Sequence, residues 1–112
     1  MTGPLLMAAI AQQKSGNLAE AAKLYAAVLK AEPRNFRALY ELANLHFGAG
    51  GYETAARLYE EASRTDPSSA DAYFGRGCAL QRLKRNEAAI LAYDKALMQA
   101  SGDSEVWSNR GV

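Results

Sequence analysis

Residues 55–67 read AARLYEEASRTDP, and residues 21–33 read AAKLYAAVLKAEP. Ala21, Tyr25 and Pro33 thus return as Ala55, Tyr59 and Pro67, and the first two return again as Ala89 and Tyr93, at steps of 34 residues. Self-similarity at this period marks a chain of stacked supersecondary units. Such a stack offers a curved face rather than a catalytic pocket. The repeat therefore predicts how the chain works, as a binding scaffold, and only weakly what it binds.

Each period holds two helical patterns joined by a tight turn. Pro4 opens the first, and Leu5, Ala8, Ala9 and Gln12 follow at helical spacing. Ser15-Gly16-Asn17 stops it, with glycine supplying a left-handed cap. Residues 18–31 form the second helix, with Ala21, Leu24, Tyr25, Val28 and Leu29 as its apolar stripe. Pro33 disfavours helix at the residue before it, and Asn35 is suited to cap the next helix. The same logic predicts helices over 36–48, 52–65, 70–83 and 87–100. A seventh starts near Ser104 behind an Asp103 cap. No strand pattern, long linker or low-complexity segment is present in the sequence. The fold expected is all-α, with about seven helices in one domain over 1–112. Its units fall at about 2–35, 36–69 and 70–103, with a partial one over 104–112.

Small residues recur in register. Ala9, Ala43, Gly77 and Gly111 form one column, and Ala21, Ala55 and Ala89 another. Paired helices approach closely only where side chains are small, and larger partners fill the remaining space. Tyr25, Tyr59 and Tyr93 are those partners, so their role is structural.

Bulk properties exclude several functions. Thirteen basic and twelve acidic side chains give a net charge of +1. That balance argues against a nucleic-acid binder or a polybasic membrane tether. Apolar residues make up 49% of the chain, enough for a folded core. The single cysteine, Cys78, rules out an internal disulfide and any multi-cysteine metal site. The N-terminal run MTGPLLMAAIA lacks the basic flank of a secretory signal and is too short to span a bilayer. A cytoplasmic protein is the expectation. His46 and Cys78 cannot make a multi-histidine zinc site, and His46 reads as a packed helix residue. Cys78 has no histidine or helix N-terminus beside it to activate the thiol. Gly48, Gly50 and Gly51 follow a helix rather than a strand, so they are not a phosphate loop. No catalytic residue, metal or cofactor is expected.

These columns resemble the tetratricopeptide repeat family, whose pattern is W-x2-L-G-x2-Y, then A-x3-F, then P. Ala21-x3-Tyr25, Ala55-x3-Tyr59 and Ala89-x3-Tyr93 match its second half, with Pro33 and Pro67. In the first half, Leu5-x2-Ala8-Ala9 and Leu39-x2-Leu42-Ala43 are degenerate. Tyr73-x2-Arg76-Gly77-x2-Leu80 is closer, and Trp107-x2-Arg110-Gly111 carries tryptophan and glycine. The resemblance covers essentially the whole chain. It implies antiparallel helix pairs in a right-handed superhelix, with the first helix of each pair lining a concave face. It also implies a module that binds peptides, helices or proteins and rarely catalyses.

On that alignment the groove face comprises Leu6, Ile10 and Gln13 in the first unit. Tyr40, Asn44 and Phe47 follow in the second with Arg37 at the rim, and Phe74, Cys78 and Gln81 in the third with Asp71 at the rim. Each trio is spaced i, i+4, i+7, one face of a helix. Together they make an apolar, aromatic strip. It either grips an apolar peptide or amphipathic helix, with Tyr40, Phe47 and Phe74 as anchors, or packs against neighbouring helices.

Some members of the family hold a peptide C-terminal carboxylate with Lys, Arg and Asn. The matching columns here carry Leu6, Ile10, Glu41, Asp71 and Gly75, so binding of chaperone tails is not expected. The segment from Trp107 to Gly111 also resembles repeats of bacterial multidomain proteins, including O-GlcNAc-transferase-like ones with a ladder of groove asparagines. The ladder column here reads Met7, Glu41, Gly75 and Asn109, and only Asn109 fits. That resemblance implies a substrate-targeting arm of a larger enzyme. Val106 and Trp107 would lie uncovered at the end of the stack. Either further repeats or domains of a longer chain cover them, or a second copy does, through self-association.

Overall fold

A computed structural model describes residues 2–100, which contain six helices and no strand. They are α1 (Gly3–Lys14), α2 (Leu18–Ala31), α3 (Phe36–Gly48), α4 (Tyr52–Thr65), α5 (Ala70–Arg82) and α6 (Asn86–Ala100). The expected bounds match to within a residue. The expected seventh helix, with Asp103, Trp107, Asn109 and Gly111, lies outside the described residues. None of the described helices is long and apolar enough to cross a membrane.

The turns explain the pairing. At the end of α1, Asn17 N donates to Gln12 O at 2.9 Å and Gly16 N to Gln13 O at 3.1 Å. Gly51 and Gly50 do the same to His46 and Phe47, and Arg85 and Lys84 to Leu80 and Gln81. This pair of hydrogen bonds satisfies carbonyls that a helix end would otherwise leave orphaned. It needs a left-handed residue, and Gly16 (φ 90°), Gly50 (φ 87°) and Lys84 (φ 63°) supply it at one column of the repeat. Lys84 does so with a Cβ, at some conformational cost. The three-residue turns fold α2 back on α1, α4 on α3 and α6 on α5.

The breaks between pairs are sharper. α2 ends at Ala31, with Glu32 as its C-cap before Pro33, and Asn35 caps α3 by accepting from Ala38 N at 2.9 Å. Asp66 and Pro67 end α4, and Ser69 Oγ accepts from Ala72 N at 3.2 Å to cap α5. These caps stack α3 on α2 and α5 on α4.

The core follows the columns. Ala9, Ala21, Ala43 and Ala55 are fully buried and Ala89 is 2% exposed. Tyr25 is fully buried and Tyr59 is 3% exposed. Leu58 packs against all three apolar clusters, which together draw on every helix pair, so one continuous core runs through the stack.

Candidate functional site

α1, α3 and α5 carry the residues expected on the concave face, and the structure divides them into three kinds. The first kind braces the tyrosine column. Tyr25 Oη donates to Gln13 Oε1 at 2.6 Å, Tyr59 Oη donates to Asn44 Oδ1, and Tyr93 Oη donates to Gln81 Oε1 at 2.7 Å. Each second helix thus pins its tyrosine to an amide of its own first helix. Cys78 Sγ lies 3.6 Å from the Tyr93 hydroxyl. Gln13 Nε2 also donates to Glu41 Oε1 at 3.3 Å, and Arg37 pairs with Glu41 at 3.1 Å. The seam between the first two pairs therefore carries polar links on this face.

The second kind is committed to packing. Leu6 and Ile10 are half-buried against the cluster of Ala9, Tyr25 and Leu42. Tyr40 stacks on Phe36 at 5.8 Å between ring centres and meets Tyr59 edge-on at 5.9 Å. Phe47 meets Tyr52 edge-on at 5.2 Å, and the Arg82 guanidinium lies 5.5 Å from its ring centre. Tyr40 and Phe47 are half-buried.

The third kind is open. Phe74 is 57% exposed, with its ring 5.5 Å from that of Tyr93. Phe74, Asp71 and Ala70 of α5 face Tyr93, Ala96, Leu97 and Ala100 of α6 across an open cup of about 490 Å³. The cup is largely apolar, and Asp71 gives it one charged rim. The sequence puts Phe74 on the groove face and Asp71 at its rim, and it gives no α6 wall. Leu97 stands where the previous pair has Ser63, a substitution visible only when columns of the outer helices are compared. Asn109 lies outside the described residues.

The asparagine-ladder column is closed at Gly75, while Met7 stays exposed. A Cβ at Gly75 would lie 2.5 Å from Tyr59 Cε1, so the tyrosine ring occupies that place. Among the described residues no cluster of three or more His, Cys, Asp or Glu could hold a metal ion.

Burial raises the tyrosine hydroxyls. Tyr25 is pushed up to about 12 by burial and then by the Glu41 carboxylate, against the opposing pull of Arg37. Tyr93 is likewise pushed up to about 12 by burial and then by its bond to Cys78. Tyr59 is raised further still, chiefly by burial. The folded values lie above the ordinary 10.0, so the stability these groups contribute is intact below pH 10 and is lost as pH rises toward 12. The phenolate would also have lost the proton it gives to an amide oxygen. Phenolate absorbance and helical circular dichroism are expected to change together over this window. Full ionisation of the tyrosines with helicity intact would contradict the buried column.

A tetratricopeptide repeat model matches the chain twice, over residues 6–50 and 40–105. A rice relative, Protein SGT1 homolog from Oryza sativa subsp. japonica, is 33% identical over 84 residues. That match covers 75% of this chain and 23% of the rice protein, so the chain spans about a quarter of the relative's length. Among solved structures, the Sgt2 TPR domain from Aspergillus fumigatus superposes with a TM-score of 0.81 at 25% identity, over 89% of this chain and 66% of that one. MamA 41-end from Desulfovibrio magneticus RS-1 gives 0.84 at 25% identity, over 95% and 60%. The first TPR of Spaghetti (RPAP3), bound to an HSP90 peptide, gives 0.84 at 23% identity, over 96% and 86%. Six helices in tandem pairs, a repeated Ala/Tyr core and a family match along nearly the whole length lead to one assignment: the chain belongs to the tetratricopeptide repeat family and folds as a right-handed α-solenoid.

Proposed function

We propose that this chain is a non-catalytic scaffold that seats an apolar side chain of a partner peptide or helix in the cup between α5 and α6. The observation that carries this reading is Phe74. It is the groove aromatic left 57% exposed, beside an apolar hollow large enough for a bulky side chain. Its neighbours in the groove face, Tyr40 and Phe47, are held by Tyr59, Tyr52 and Arg82.

The RPAP3 repeats were solved with an HSP90 peptide, and they support a peptide-binding role for the shared fold. This groove differs from a carboxylate clamp in its chemistry. Leu6, Ile10, Glu41, Asp71 and Gly75 stand in the clamp columns and provide no cation. In those columns an acidic tail would meet two carboxylates and no charge-assisted donor.

Peptide display followed by calorimetry tests the reading. Selected ligands are expected to carry a large apolar residue, and Phe74→Ala should weaken them at least about tenfold, since truncating a central aromatic anchor costs about 2 kcal/mol or more. The HSP90 peptide should show no binding. Undiminished affinity in Phe74→Ala, or micromolar binding of the HSP90 peptide, would remove the proposal.

The reading as an enzyme's targeting arm gains no such support. Of its ladder column, Met7, Glu41 and Gly75 do not fit, and the fitting Asn109 lies outside the described residues.

A further inference from the structure

The outermost residues of α2, α4 and α6 lie in matching columns spaced i, i+4, i+7, i+11, one helical face turned away from the core. In α2 this row is Ala19, Lys23, Ala26 and Lys30, all exposed. In α4 it is Glu53, Arg57, Glu60 and Arg64. In α6 it is Glu87, Leu91, Asp94 and Met98, all exposed.

The middle row is balanced within the chain. Arg64 pairs with Glu60 at 2.8 Å, and Arg85 pairs with Glu53 at 3.0 Å. The end rows are unbalanced in opposite senses. No ion pair involves Lys23, Lys30, Glu87 or Asp94 among the described residues. Where α4 carries Arg57 and Arg64, α6 carries Leu91 and Met98, which are 64% and 68% exposed.

Stacking another repeat would not cover these two side chains. Lys23 and Arg57 stand in the Leu91 column, and both remain exposed although a further helix pair follows each of them. A partner on the outer face, rather than a further repeat, would take the exposed part of this surface out of water.

We propose that the outer row of α6 docks on the outer row of α2 of a second copy of this chain, head to tail. The two rows complement each other in size. Leu91 and Met98 are spaced by seven residues, as are Ala19 and Ala26, so two large side chains meet two small ones. They also complement each other in charge, since Glu87 and Asp94 repeat the spacing of Lys23 and Lys30. Two α6 rows facing each other would instead gather four carboxylates in one seam, which like-charge repulsion disfavours. Because the joined surfaces differ, each copy keeps one free end of each kind, and the contact extends into open chains or rings. The contact lies outside the groove and does not depend on the groove's ligand.

Sedimentation equilibrium at low salt tests this. The wild-type mass is expected to rise above one chain with concentration and to fall back when salt screens the charges. A double variant L91R/M98R copies the arginines of α4, and a second, K23E/K30E, reverses the α2 row. Both change only exposed positions, and circular dichroism checks their folding. L91S/M98S replaces the first variant if it does not fold. Each variant alone should associate at least tenfold more weakly than wild type. An equimolar mixture of the two retains one intact pair of faces and should form 1:1 dimers and nothing larger. Phe74→Ala should associate like wild type. A wild type that stays monomeric up to about 1 mM, a K23E/K30E variant that still self-associates, or a mixture that forms no 1:1 dimer overturns the proposal.

Discussion

Tyr59→Ala is expected to lower unfolding stability by about 3–5 kcal/mol, the range for removing a core aromatic. The ring is 3% exposed, sits edge-on to Tyr40 and fills the place of a side chain at Gly75. It therefore ties α4 both to its own partner helix and to the next pair. A loss of that size is a large part of the roughly 5–15 kcal/mol that a small domain has in total. Tyr59→Phe separates ring from hydroxyl. It keeps the packing, leaves Asn44 Oδ1 without its donor, and should cost about 1 kcal/mol. A denaturant melt in which the alanine variant loses under about 1 kcal/mol would show that the ring is not core.

Gly75→Ala is the second large effect, and its sign depends on its neighbour. Alanine inside a helix is ordinarily better than glycine by about 1 kcal/mol. Here the new Cβ would lie 2.5 to 2.8 Å from three ring atoms of Tyr59. The ring cannot step aside easily, because Tyr40 flanks it and Asn44 holds its hydroxyl. Overpacking should win, for a net loss of about 2 kcal/mol. In a Tyr59→Ala background the clash is gone, and the same substitution should stabilise by up to about 1 kcal/mol. The coupling across the double-mutant cycle is then about 3 kcal/mol. Additive effects would mean that the two residues do not touch.

The sequence disclosed whatever repeats. Ala21, Ala55 and Ala89 with their tyrosines announced the core, and Asn35 announced a cap, because those signals are local or recur in register. Lys84 did not announce a left-handed turn. It stands in the column of Gly16 and Gly50, and hydrogen bonds to Leu80 and Gln81 hold it there despite its side chain. The groove was legible as a helix face but not as three kinds of residue. Gln13, Asn44 and Gln81 become acceptors through partners 12 or 15 residues away. Phe47 is flanked by Tyr52 and by Arg82 of the next helix pair. The cup needed Leu97 and Ala96 from α6, which spacing within α5 cannot reveal.

The polar link from Gln13 to Glu41 and the ring-on-glycine contact of Tyr59 with Gly75 fall at successive joints of the same design. The units look like copies, yet they are not interchangeable bricks. Glutamate at the second joint, or glycine at the first, would leave a tyrosine against the wrong neighbour. A gene in which these units are shuffled would encode the same helices and a poorer protein, because their order is written into the seams.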